Sequence, residues 1–307
     1  DTRTTAHRII EEFMLVANET VASDLCHHKV PTLFRIHEAP DPLKVEEFDG
    51  FISSVGYSLT APTASLEPAH FQKLLDRVKG EPEERPIAAL MVRTMQQARY
   101  EPMNQGHFGL AAQAYTHFTS PIRRYPDLLV HRALRAQHNG LLTPETRHSW
   151  KERLQTLARH TSEKERRAEG AERELVQWKK VRFMTNKVGD EFSGYVTGVT
   201  AFGLFVELVE QFVEGLVHIS SMADDYYRFV EAQYLLQGEN SGKSYRLGDL
   251  VHVQLVRVDR AHRQLELGIT EILEAVRSKE ASNGPIRRGR STKHSVRVPN
   301  RKRRRRR

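Results

Sequence analysis

The chain has 307 residues, 39% of them hydrophobic and 28% charged, with one cysteine and a formal net charge of +8. A lone cysteine, Cys26, excludes a disulfide framework and any multi-cysteine metal site and fits a reducing compartment. No apolar run approaches the ~18 residues of a membrane helix, and the first thirty residues lack a secretory pattern.

The charge is uneven. Residues 281–307 hold 12 Lys or Arg and no Asp or Glu, so residues 1–280 carry 35 basic and 39 acidic groups, a net of −4. Attraction to polyanions therefore belongs to a tail and not to the body. The length predicts two domains.

Taken in order, Ala6, Ile9, Ile10, Phe13, Met14, Val16 and Ala17 recur at helical spacing. The pattern is running within a few residues of the start, as expected of a chain whose upstream part is missing. Residues 33–42 read as a short strand ended by two prolines. Helices are predicted over 44–55, 68–78 and 86–100. The second half of 107–140 is a further helix, capped by Asn139-Gly140. Residues 144–183 form the longest helix, rich in i,i+4 charge pairs, with Trp150, Leu154, Leu157, Leu175 and Trp178 as its few apolar anchors.

Around Val188 the period switches from helical to two. Runs at 194–208, 214–220, 250–259 and 263–270 predict an all-β unit of about five strands, the size of an OB barrel. The polar, aperiodic tail from Ala281 is expected to be disordered when free.

Two segments carry chemistry. In the first, 119–127, Thr119 and Ser120 precede Pro121, a helix-start arrangement whose free amides favour an anion. Arg123 and Arg124 make it a candidate phosphate clamp, since guanidinium binds phosphate bidentately. The other reading is a capped surface helix with solvated arginines, and Pro126 delays or kinks that helix. Tyr115, just upstream, is either a base-stacking ring or core.

The second segment lies in the β unit. Phe202 and Phe205 flank Gly203 three residues apart, so a regular strand cannot place them on one face. A bulge or bend at the glycine could. With His218, Asp259 and Arg263 they would form a stacking platform for single-stranded nucleic acid; the alternative is an ordinary barrel with one buried phenylalanine.

HFGLAAQAYTHFTSPIRRYPDLLVHRAL, at 107–134, is similar to the signature of the RNB catalytic domain of the ribonuclease II and ribonuclease R superfamily. AHRIIEEFMLVANE resembles that domain's preceding helix and LFRIHEAP its next element. GYVTGVTAFGLFVEL with EGLVHIS resembles the S-one domain, an OB-type RNA-binding module. The segment GENSGKSYRLGD and the basic tail resemble the ribonuclease R branch.

The resemblance, over residues 3–270, implies an α+β multidomain chain. Residues 1–184 would be the mostly helical C-terminal part of an RNB domain, 185–272 an OB-fold S-one barrel and 273–307 a basic tail. The implied activity is processive, Mg²⁺-dependent 3′-5′ exoribonuclease hydrolysis to nucleoside 5′-monophosphates. The family's metal-binding aspartate cluster is not in this sequence, whose only adjacent pair, Asp224-Asp225, lies in the β unit.

By resemblance, Arg123 grips the phosphate at the scissile bond and Arg124 contacts the backbone nearby. Glu172, or else Glu165, lies near the 3′-terminal nucleotide. Glu12, or else Glu11, meets the terminal ribose hydroxyl. Phe202, Phe205, His218, Asp259 and Arg263 match the RNA face of S-one domains. The implied partners are single-stranded 3′ ends and structured RNA with a 3′ overhang, together with the ribosome or its RNA through the tail. The expected setting is a cytoplasmic monomer without membrane contact. The rival function, for this chain alone, is a non-catalytic RNA-binding module.

Overall fold

A computed structural model describes residues 4–62, 65–81 and 83–282 of the chain. Helix α1, Thr5–His27, starts at a Thr4 cap whose side chain accepts from the His7 amide. Its C-terminal half packs through Asn18, Ala22 and Leu25. The expected apolar stripe of its first half does not reach a core: Ile9, Ile10, Phe13, Met14 and Val16 are all exposed.

Strand β1, Phe34–Ile36, pairs antiparallel with β2, Arg99–Glu101. Between them lie α2, Pro42–Ser54, α3, Pro68–Val78, and α4, Glu84–Thr94. The helix predicted over 86–100 therefore ends six residues early. Its last part is extended because Tyr100 pairs with Arg35 across the β1–β2 ribbon and is buried there.

Helix α5, Tyr125–His138, ends at Asn139-Gly140, where Gly140 takes φ +65°. Helix α6, Pro144–Met184, is 41 residues, about 60 Å at 1.5 Å per residue. It buries Leu154, Ala158, Thr161 and Ser162 in the second quarter of its length and Val181 and Met184 at its C-terminal end. Leu175 and Trp178, predicted as anchors, are exposed on the stretch between.

Strands β3, Glu191–Thr200, β4, Gly203–Leu208, β5, Glu214–His218, β9, Leu250–Asp259, and β10, Gln264–Ile269, close a barrel in the order β10-β5-β4-β3-β9. All ladders are antiparallel except β10 with β5. A second sheet, β6, Tyr227–Val230, β7, Leu235–Gly238, and β8, Ser244–Arg246, occupies the insertion before β9. Two-residue periodicity is weak there because the strands are three or four residues long, too short for alternation to stand out.

Helix α7, Thr270–Ser282, follows β10 and buries Ile272 against the barrel. The tail expected from residue 273 thus begins as a helix; the remaining basic segment, 283–307, lies outside the described residues.

Packing crosses the boundary read at 184/185. Phe51, Ile52, Ile87 and Leu90 of α2 and α4 share one continuous apolar cluster with Val196, Leu236 and Val253 of the β unit. Phe51 meets Tyr234 edge-on at 5.6 Å, the Arg85 guanidinium lies 4.0 Å from the Tyr195 ring centroid, and Arg93 donates to the Thr197 carbonyl.

Candidate nucleic-acid interface

The segment from Tyr115 to Arg124 contains no regular strand or helix, so its position is set by bonds to the elements around it. The Tyr115 carbonyl accepts from the Arg35 amide, and Thr116 Oγ1 donates to the Leu33 carbonyl at 2.6 Å. Asn18 of α1, 2% exposed, reaches across twice: its Nδ2 donates to the Tyr115 hydroxyl and its Oδ1 accepts from the Phe118 amide, each at 2.9 Å. The Phe118 ring stacks on His131 of α5 at 4.1 Å.

Beyond Phe118 the anchor is Asp127, fully buried. Its Oδ1 accepts from the Ser120 amide and from Arg124 Nη2, both at 2.8 Å. The Ser120 carbonyl in turn accepts from the amides of Arg123 and Arg124. The helix start expected at Ser120-Pro121 is therefore a tight turn. The helix begins at Tyr125 because Pro126 fits only the first turn, and acidic Asp127 in that turn favours the amide end of the helix dipole.

Two expectations change as a result. Tyr115 is 6% exposed with its hydroxyl bonded, so it is core and offers no stacking face. Arg124 is ion-paired to Asp127, so the clamp of two arginines reduces to one. Arg123 is exposed at the apex beside fully exposed Ile122, and its guanidinium makes no hydrogen bond or ion pair with a described residue.

The electrostatics at this apex are positive. His117, whose Nδ1 lies 2.8 Å from the Tyr100 hydroxyl, has its pKa pushed down to about 3 by burial first and then by Arg124, Arg35, His107 and Arg123. Burial is the largest cause of this shift; the part that comes from the neighbouring positive groups is a field that also favours an anion nearby. Of these cations, Arg35 is paired to Glu165 at 2.5 Å and Arg124 to Asp127, which leaves the positive charge of Arg123 uncompensated.

The carboxylates divide similarly. Glu165 is committed to Arg35, whereas Glu172 is exposed and unpaired with any described residue. Seven residues is close to two helical turns, so Glu172 lies on the same face of α6, about 10 Å further along. On α1 the same spacing places Glu11 on the Asn18 face, with Glu12 about 120° around the helix from it. Both carboxylates are exposed, and Glu11 is the one that shares the Asn18 face of the helix.

At the barrel, Phe202 precedes β4 in the turn, so strand alternation does not separate it from Phe205; their rings meet edge-to-face at 5.9 Å. The device is Gly203, opposite His218 in the ladder, with φ +150°. A Cβ there would sit 2.2 Å from the Val217 carbonyl oxygen, so only glycine allows the approach. His218 is exposed, its Nδ1 accepting from the Ser220 amide, which leaves the other ring nitrogen outward to donate.

Asp259 and Arg263 do not join this group. Parallel pairing sets Glu266 opposite Leu216, which puts the hairpin around residue 263 roughly 16 Å from His218 at ~3.3 Å per residue. Asp259 caps its own turn: the His262 amide and ring, with the Ala261 amide, hold its pKa down to about 2. Arg263 pairs with Glu174 of α6 at 3.1 Å.

Sequence reasoning missed Asn18, Asp127 and the Arg35–Glu165 pair. The partners of Asn18 lie about 100 residues away and Arg35 lies 130 from Glu165, whereas the partners of Asp127 are only three and seven residues back, within the turn that the sequence reads as a helix start.

Among the described residues, no group of three or more His, Cys, Asp or Glu could hold a metal ion. The residues present therefore do not fit the Mg²⁺ that the resemblance implies. Asp224 is taken by Lys243 and Tyr227, and Asp225 by Asn240 and Ser241. No helix among the described residues is long and apolar enough to cross a membrane.

A family model described as the RNB domain matches residues 1–140, and one described as the S1 RNA binding domain matches 185–270. Ribonuclease R of Aquifex aeolicus is 45% identical over 273 residues, covering 89% of this chain and 38% of the relative. The Escherichia coli protein of that name is 41% identical over 284 residues, 90% of this chain and 35% of the relative. The chain thus spans little more than a third of these relatives' length. A solved structure of Mycoplasma genitalium RNase R in complex with ribose-methylated single-stranded RNA superposes with a TM-score of 0.82 at 28% identity, covering 88% of this chain and 42% of that one.

Proposed function

We propose that the chain belongs to the ribonuclease R family of RNB-domain proteins, in keeping with its RNB and S1 matches and its similarity to ribonuclease R proteins, and that it is the RNA-gripping part of a 3′-5′ exoribonuclease. The observation that carries the reading is Arg123, a guanidinium unpaired with any described residue on a turn whose Ser120 and Arg124 are both tied to Asp127. Its task is electrostatic, to hold the phosphate at the bond being hydrolysed and to meet the charge that develops there. Glu172 and Glu11 flank the 3′-terminal nucleotide, and a carboxylate on the terminal ribose hydroxyl favours RNA over DNA.

Phe202, Phe205 and His218 stack and hydrogen-bond the incoming strand. The 12 basic residues of 281–307 add salt-dependent attraction to RNA phosphates, including those of the ribosome. The metal dependence of the longer protein is part of this reading, with its ligands supplied from outside the described residues. The longer protein is read as a cytoplasmic monomer.

The test is incubation of the chain with 3′-labelled single-stranded RNA and Mg²⁺, beside a complete ribonuclease R. The chain alone is expected to bind RNA and release no mononucleotide. Release by the chain alone contradicts the assignment of metal chemistry to other residues; failure to bind removes the gripping role.

For the barrel face, Phe205→Ala is expected to weaken binding of a single-stranded oligonucleotide by about 1–3 kcal/mol, the loss of one stack. Fluorescence anisotropy reads this directly, and an unchanged Kd would return the face to an ordinary barrel surface.

A further inference from the structure

A cavity of about 110 Å³ lies between α5, α6 and the segment before β1, lined by Thr32, Tyr125, Arg132, Trp150, Arg153 and Leu154 among others. Tyr125 is the second residue after Arg123, so the cavity adjoins the clamp turn, yet the clamp uses none of these groups.

Three observations point to a ligand. Arg132 and Arg153 come from different helices, are exposed, and make no hydrogen bond or ion pair with a described residue. Among the described residues no Asp or Glu lines the cavity, so two guanidinium charges border it without a described counter-charge. Thr32 is 1% exposed and its Oγ1 has no hydrogen-bond partner, a state that buried hydroxyls in folded proteins rarely keep. Trp150 and Tyr125 add two aromatic walls, the second 45% exposed.

We propose that this cavity is a nucleotide-phosphate site. One phosphate group is met by the forked donors of Arg132 and Arg153, and the attached base or ribose lies against Trp150 and Tyr125. At ~30 Å³ per water molecule the space equals about four waters. It admits a phosphate but not a whole nucleotide, so the remainder of the ligand stays at the open mouth. The same chemistry is presented by a released nucleoside 5′-monophosphate and by an internal phosphodiester of single-stranded RNA. The site goes beyond the clamp reading and stands without it.

The chain has two tryptophans, so Trp178→Phe leaves Trp150 as the sole reporter. In that background the whole chain is titrated with AMP, inorganic phosphate and a short single-stranded RNA, following tryptophan fluorescence. AMP is expected to quench saturably with half-saturation of about 0.1–1 mM, a range typical of weak single-site binding, and inorganic phosphate to displace it. The double variant Arg132→Gln with Arg153→Gln should weaken the response at least tenfold. The matching Lys pair should retain part of it, since charge remains while the bidentate fork is lost.

Quenching by RNA alone, with the same sensitivity to the Gln pair, assigns the site to an internal phosphodiester. Adding Phe205→Ala separates the site from the barrel, because it lowers RNA affinity there and leaves the AMP response unmoved. No quenching by any of the three probes, or an unchanged half-saturation in the Gln pair, overturns the proposal. Both arginines are exposed, and far-ultraviolet circular dichroism verifies that the variants fold.

Discussion

Arg123→Ala, made in a complete ribonuclease R-type protein, is expected to lower kcat by roughly 10²–10³-fold, the usual loss for one transition-state donor, with a much smaller change in RNA affinity. The reason is visible in the turn. The Ser120 carbonyl holds the backbone of Arg123, and Asp127 holds both neighbours of that contact, Ser120 and Arg124. Removing the guanidinium therefore deletes a charge without moving its support, and on the proposed reading the Phe202–Phe205 face of the barrel is left to hold the strand. Release of mononucleotides from 3′-labelled RNA under saturating and sub-saturating conditions separates the two parameters. A rise in KM with kcat intact would make Arg123 a ground-state contact, and unchanged turnover would remove it from the site.

The largest effect on stability is expected at Asp127. The carboxylate is fully buried and Arg124 is about one-fifth exposed. Asp127→Ala leaves a guanidinium and the Ser120 amide without their acceptor, and breaking such a pair from one side costs about 3–5 kcal/mol. Chemical denaturation of the chain should show this as a lowered midpoint at constant slope. Asp127→Asn keeps an oxygen for the Ser120 amide and should lose less. A loss below about 1 kcal/mol for the Ala variant, the level of an exposed pair, would show that the turn is held by something else.

How much of this was legible in the sequence depended on how far each determinant lies along the chain. Helix α3 was readable end to end because Pro68 marks its first turn, and α6 because Thr143-Pro144 supplies cap and start together. The closed barrel followed from two-residue periodicity. Local pattern failed where a distant partner decides: Tyr100 leaves a helix pattern to pair with Arg35, and Tyr115 turns inward to Asn18.

The site was legible to the same degree. The pairing of Phe202 with Phe205 was foreseen on condition of a bend at Gly203, which the structure meets with a turn and a positive φ. Asp259 and Arg263 were grouped with them from the hairpin turn they bracket, and again by resemblance. Only the parallel register of β10 with β5, a property of two strands fifty residues apart, places them elsewhere. The order of Glu12 over Glu11 is a question of helical phase, and phase is set by Asn18, whose partners are a hundred residues on.

Between Ser162 and Val181 helix α6 buries no side chain and meets the rest of the chain through surface polar contacts such as Glu165–Arg35 and Glu174–Arg263, while α2 and α4 join the barrel through a separate apolar contact. The chain therefore closes a ring of contacts in which this stretch is one arm. A protease that cuts once between residues 163 and 180 should sever the covalent link and leave the two pieces together, migrating as one species until the shared core is unfolded. The distance from the Phe202–Phe205 pair to Arg123 is then a property of the folded core and not of a tether, and an RNA held at both, as proposed, would span a set length rather than a slack one.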